Sequence, residues 1–184
     1  ETMGTCHIEK PPGREVFLLW NIKMTGRAGL SSGKETVVML ILEFQEHKVN
    51  EEGREIFDSY DWWKELVSRA AQGADRFELR CWEDEREGIA FGQQYGEQQE
   101  STTQELVYTG ALSQEALAAL LDGCVAADGA LSYFTLNLYS GEKMLFSSSH
   151  YGSEVYWFQD SFAEIGFLMM LAKKHPCIKG FDKR

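Results

Sequence analysis

Cations are nearly missing from the middle of this chain. Between Glu87 and Ala172 there are 11 acidic residues and one basic residue, Lys143, a net charge of −10, while residues 173–184 run the other way at +4. The whole chain of 184 residues carries −11. A surface so poor in Lys and Arg repels phosphate backbones and anionic lipid, which argues against nucleic acid and membrane as partners and favours a basic protein. Apolar runs of bilayer length are missing as well. The longest, "TVVMLILEF" and "IGFLMMLA", fall well short of the ~20 residues a membrane-spanning helix needs, so a soluble protein is expected. The opening "ETMGTCHIEK" has no basic stretch followed by an apolar one and does not read as a secretory signal. Only 4 cysteines occur, Cys6, Cys81, Cys124 and Cys177, with no C-x-x-C pair. A chain of this length needs no disulfide staples, and reduced thiols in a cytoplasmic protein are expected.

What is present is an ordinary globular composition, with 43% hydrophobic and 26% charged residues, which predicts one domain over 1–184. Three segments carry helical periodicity. "DWWKELVSRAAQG", from Asp61 to Gly73, sets Trp62, Leu66 and Ala70 on one stripe beside Trp63 and Val67. "SQEALAALLDGCVAADG" repeats Leu117, Leu120, Leu121, Cys124 and Val125 at helical spacing, with Ser113 as cap and Gly129 as end. "SFAEIGFLMMLAKKHP" has capping-box spacing at Ser161 and Glu164 and a stop at Pro176; its middle is apolar almost all round, which predicts burial between layers. Strand candidates are "EVFLLWNIKM", "TVVMLILEF", "RFELRCW", "GIAFGQQY", "QELVYTG", "LSYFTLNLY", "KMLFSSS" and "EVYWFQ". Short turns between them favour hairpins over βαβ crossovers. The expected fold is α+β: a largely antiparallel sheet with about three helices mainly on one side, in the order ββαβββαβββα. "KVNEEGREIFDSY" reads as a loop.

The motifs are fragments. "AGLSSGKET" approaches a phosphate-binding loop, but Ala28 stands at the first glycine position and Glu35 where a hydroxyl should meet Mg²⁺. The reading is a glycine-rich hairpin connection, with a strand beginning at Thr36. "WEDEREG" would put Glu83, Glu85 and Glu87 on one face if its strands persist, a geometry able to hold a hard cation, yet a solvated tip or partner contact fits it better. Cys6, His7, His175 and Cys177 match no zinc spacing. No metal and no cofactor is expected. In "FSSSHYGSEVYW" an extended chain places His150 and Glu154 on one face with Tyr151 on the other, which would suit a general base in a pocket.

A small, acidic α+β chain without a catalytic signature is similar in general character to bacterial proteins that neutralise basic nuclease toxins; no motif carries that likeness. The leading expectation is therefore a non-catalytic, immunity-like interaction protein. Its partner-binding residues would be Glu83, Asp84, Glu85, Glu87, Glu97 and Glu100, with Tyr95 and Trp157 as aromatic anchors. The alternative is a small enzyme or ligand-binding domain using His150, Glu154 and Tyr151. A homo-oligomer joined through a sheet edge or the Trp62 face of its helix is a third possibility.

Overall fold

The computed structural model describes residues 38–45 and 47–184. The strand expected over 15–24, the Gly-Lys loop over 28–36 and the Cys6-His7 pair lie outside them. The described chain runs β1 (Leu40–Phe44), β2 (Lys48–Val49), β3 (Glu55–Ile56), α1 (Asp61–Ala70), β4 (Arg76–Cys81), α2 (Arg86–Tyr95), β5 (Glu97–Gln99) and β6 (Leu106–Ala111). It continues through α3 (Gln114–Asp122), β7 (Thr135–Ser140), β8 (Lys143–Ser149), β9 (Glu154–Trp157), α4 (Phe162–Lys174) and β10 (Ile178–Lys183). The α+β class and the large antiparallel sheet are as expected. Eight strands pair in the order β10-β1-β9-β8-β7-β4-β6-β5, every pair antiparallel.

Strand register explains the core. Phe77, Leu138, Phe146, Trp157 and Leu40 are consecutive partners across five strands, and all five are fully buried. Each such side chain removed from water contributes about 1.5–3 kcal/mol. Helices cover this face: Phe91 of α2 lies 5.3 Å from Phe77, and Phe167 of α4 lies 5.9 Å from Trp157. From α1, Trp63 reaches the same face and donates its indole N–H to Ser148 Oγ at 2.9 Å. The next residues along the strands turn to the opposite face, where Asn137 donates to Glu78 and Arg80 pairs with Glu78 and Glu105. Trp62 is as buried as Trp63, packed on Phe44 and Phe57. The Trp62 face of α1 is therefore interior and cannot join two copies.

Several elements depart from the sequence reading. "GIAFGQQY" is not a strand but most of helix α2. Gly88 and Gly92, four apart, share its inner face, and they let the helix axis approach what lies beneath. A Cβ on Gly88 would stand 2.3 Å from the Ser132 carbonyl oxygen, and one on Gly92 would stand 2.4 Å from the Tyr108 ring. The helix starting at Ser113 ends at Gly123 instead of Gly129, since Val125 turns away to bridge Leu131. Helix α4 keeps its Ser161 cap but is open to solvent on one face, not enclosed all round. "KVNEEGREIFDSY" holds the β2–β3 hairpin, its turn closed by Asn50 Oδ1 accepting from the Glu52 and Arg54 amides. Strands β5 and β10 had no clear alternation to announce them.

Gly88→Ala tests the close approach. Helix propensity alone favours Ala by about 1 kcal/mol, yet overpacking against a backbone carbonyl should dominate, giving a net loss of about 1–3 kcal/mol in urea denaturation. A stabilised variant would show that the helix has room to shift.

Candidate functional site

Between β8 and β9 the chain reverses through one 3₁₀ turn, His150–Gly152. Its φ angles are 49° at His150, 53° at Tyr151 and 89° at Gly152. For residues with a Cβ this left-handed backbone costs on the order of 1–2 kcal/mol each. Contacts around Tyr151 offset that strain. Its ring is buried edge-on to Phe134 at 5.5 Å, the Arg54 guanidinium sits 5.4 Å from the ring centroid, and its hydroxyl engages the Glu85 carboxyl.

Glu85 sits at the cap position immediately before α2 and is only 2% exposed. Its Oε2 accepts the Trp82 amide at 3.1 Å and the Phe134 amide at 3.2 Å, and the Cys81 thiol donates to the same carboxyl. Burial pushes its pKa up to about 7, against the opposing pull of these donors and of Arg54. Arg54 itself is buried and forms 2.9 Å ion pairs to Asp128 and to Asp84. One cation thus fastens the β2–β3 hairpin to the segment after α3 and to the loop before α2.

The residues singled out from sequence scatter over this frame. Glu83, Glu85 and Glu87 do not share a face: Arg86 opens a helix, Glu85 points inward, and Glu83 and Glu87 remain exposed. Among the described residues no group of three or more His, Cys, Asp or Glu side chains is placed to hold a metal ion. Trp157 is wholly enclosed in the sheet core and cannot anchor a partner, and Glu85 is likewise unavailable. Asp84 is exposed but committed to Arg54, and Tyr95 is half-buried against Phe91. Glu83, Glu87, Glu97 and Glu100 are exposed with no ion pair among the described residues. Register gathers two of these, Glu83 and Glu100. Cys81 pairs with Leu106, and Gln99 with Val107, so Glu100, Glu105 and the Glu83–Asp84 loop share one end of the β4–β6–β5 edge.

His150 does meet Glu154, Nδ1 to Oε2 at 3.2 Å, and this carboxylate raises the imidazole pKa despite partial burial. Tyr156 and Ser149 hydroxyls turn to the same Glu154 oxygen at 3.3 and 3.5 Å. The pair is the base-and-orienter half of a catalytic constellation, with its neighbouring hydroxyls spent on the carboxylate instead of facing the imidazole. An open hollow of about 530 Å³ next to the turn is lined by Phe44, Gln45, His47 and Ser153, and a second of about 390 Å³ lies along α1. Neither is lined by His150. Tyr151, buried beneath the turn, supports the backbone and cannot reach a substrate. His175, considered for zinc, instead contacts Glu65 Oε1 at 3.0 Å, which also takes Lys174 at 2.6 Å.

Arg54 and Asp128 had no signal in the sequence, because their partners come from segments that only the tertiary fold brings near. No protein-family model matches the chain, and no curated protein or solved structure is similar to it at a significant level.

Two predictions follow from the buried carboxyl. In the folded chain Glu85 holds its proton to about pH 7, whereas unfolded it releases it near the ordinary value of 4.5. Stability therefore declines as pH rises through that window, by on the order of 3 kcal/mol from this group. Glu85→Gln keeps an oxygen acceptor and removes the titration, so the wild-type minus variant stability should fall from pH 4.5 to 8; a flat difference contradicts the assignment. Arg54→Met breaks a buried ion pair and should cost about 3 kcal/mol. Its loss should be larger at pH 8 than at pH 5, because only the ionised Glu85 draws on the guanidinium.

Proposed function

We propose that this chain is a non-catalytic interaction protein whose acidic edge receives a basic protein partner, in the manner of an inhibitor or immunity protein of the bacterial cytoplasm. Nucleic acid and membrane are not among its partners in this reading, and it uses no cofactor. The observation that carries it is the sheet order. Strand β5 with Glu97, followed by Glu100, forms one edge, with the exposed Glu83 in the loop after β4 at the same end and Glu87 in the first turn of α2, while β10 with Lys179, Lys183 and the following Arg184 forms the other. Seven strand spacings separate them, about 34 Å, several times the ~8 Å screening length at physiological salt. Among the described residues the acidic edge is therefore not neutralised by the cations of β10, and Arg86 is the one exposed cation beside Glu83 and Glu87. Such a field speeds encounter with a basic surface and orients it, and Tyr95, half-exposed beside that edge, is the aromatic residue left to add affinity.

The alternative, an enzyme or ligand-binding site at His150 and Glu154, has the oriented pair in its favour, while neither of the two hollows described above is lined by the imidazole.

The test uses a basic protein that co-purifies with the chain. Replacing Glu83, Glu87, Glu97 and Glu100 together by Lys should slow its association about tenfold or more at low salt and flatten the salt dependence. Stopped-flow or surface-binding kinetics reads this, with far-ultraviolet circular dichroism confirming the fold. An unchanged rate overturns the proposal.

A further inference from the structure

Helix α4 buries Leu168 and Leu171 on one side and leaves a second apolar stripe on the other. Phe162 is 93% exposed, Met169 62% and Met170 74%, the three most exposed large apolar side chains among the described residues. With Ala163, Gly166 and Lys173 they fall within about 120° of the helix circumference. Aromatic and methionine side chains so placed, with charge only at the two ends of the stripe, are the composition of a helix-packing face and not of a solvated one.

Gly166 stands in the middle of that stripe. Glycine weakens an exposed helix relative to alanine, and nothing among the described residues requires it here: an added Cβ would meet none of their heavy atoms within 4 Å. This contrasts with Gly88 and Gly92, whose smallness is demanded by neighbours in the same chain. The ends of the stripe are complementary. Asp160 precedes the helix, and Lys173 closes it with no ion pair among the described residues. Among the described residues Asp160 faces only Lys183, at 3.5 Å and with both groups about half exposed.

We infer that α4 is a homodimerisation helix, packing antiparallel on the α4 of a second copy and crossing it at Gly166. A two-fold axis there sets Phe162 against the partner's Met170 and Ala163 against the partner's Met169. It brings Lys173 beside the partner's Asp160 and opposes the two helix dipoles. Glycine at the crossing lets the backbones approach. The stripe is small beside a standard interface, so the association is reversible and in the micromolar range.

Sedimentation equilibrium of the full chain from about 1 to 500 µM tests this, with the expected result a monomer–dimer equilibrium. Met170→Asp, at a site too exposed to trouble folding, should abolish the dimer. Gly166→Leu gives the sharper reading: it enlarges the apolar patch, so it should block a helix crossing but strengthen a merely adhesive surface. Lys173→Glu and Asp160→Lys should each weaken the dimer about tenfold, since each change enters twice, and combining them should restore it. A chain monomeric throughout, a dimer that survives Met170→Asp, or one tightened by Gly166→Leu overturns the inference.

Discussion

A carboxylate in a dry interior must be met by donors or give up its charge, and Glu85 shows how much structure that requirement can organise. Its two amide donors come from Trp82, three residues before it, and Phe134, on the approach to β7. Its hydroxyl donor, Tyr151, comes from the β8–β9 turn. The same group stands at the cap position of α2, where negative charge suits the helix dipole. Holding these segments at one point fixes the start of α2, the entry to the central strand and the left-handed turn that seats Tyr151. Arg54 then adds the β2–β3 hairpin to the assembly. Strain at His150 and Tyr151 persists because several independent contacts determine where the ring must lie.

The parts of this fold that could be read from the sequence are those whose faces are decided locally. Helix α1, the caps of α3 and α4, and strands β4, β8 and β9 each alternate or repeat with a period that burial then follows. Helix α2 was hidden because its inner face is glycine, which in a linear reading weakens the helical signal. Its purpose appears only once Ser132 and Tyr108 are placed beneath it. Glu85 was misplaced for a related reason. An acidic residue in an acidic turn reads as solvated, and the donors that draw it inward lie at distant positions. Trp157 was assigned to the right strand but to the wrong side of it, since which face of β9 is buried is settled by its partners Phe146 and Leu40. Of the glutamates named for the acidic surface, Glu83, Glu87, Glu97 and Glu100 are exposed.

Helix α4 shows the opposite limit of a local reading. Apolar character all round indicates burial all round only if the chain supplies both partners, and the described residues supply one. The exposed side is not an accident of a sparse sheet, since Leu168, Leu171 and Phe167 already occupy the inner groove.

An open sheet whose two borders carry unlike charge has a polarity, and polarity has a cost in crowded solution. The basic border of one molecule is complementary to the acidic border of the next, and head-to-tail addition of that kind runs on without end unless its rotation closes a ring. Such a chain of sheets would be a fibre. The ladder geometry works against it at both borders: β5 offers three residues of exposed backbone, too short a template to extend, and β10 meets β1 with a register break at Glu43/Phe44 that kinks the far border. Unlike charge at the two borders is in this way not backed by free backbone that would favour polymerisation.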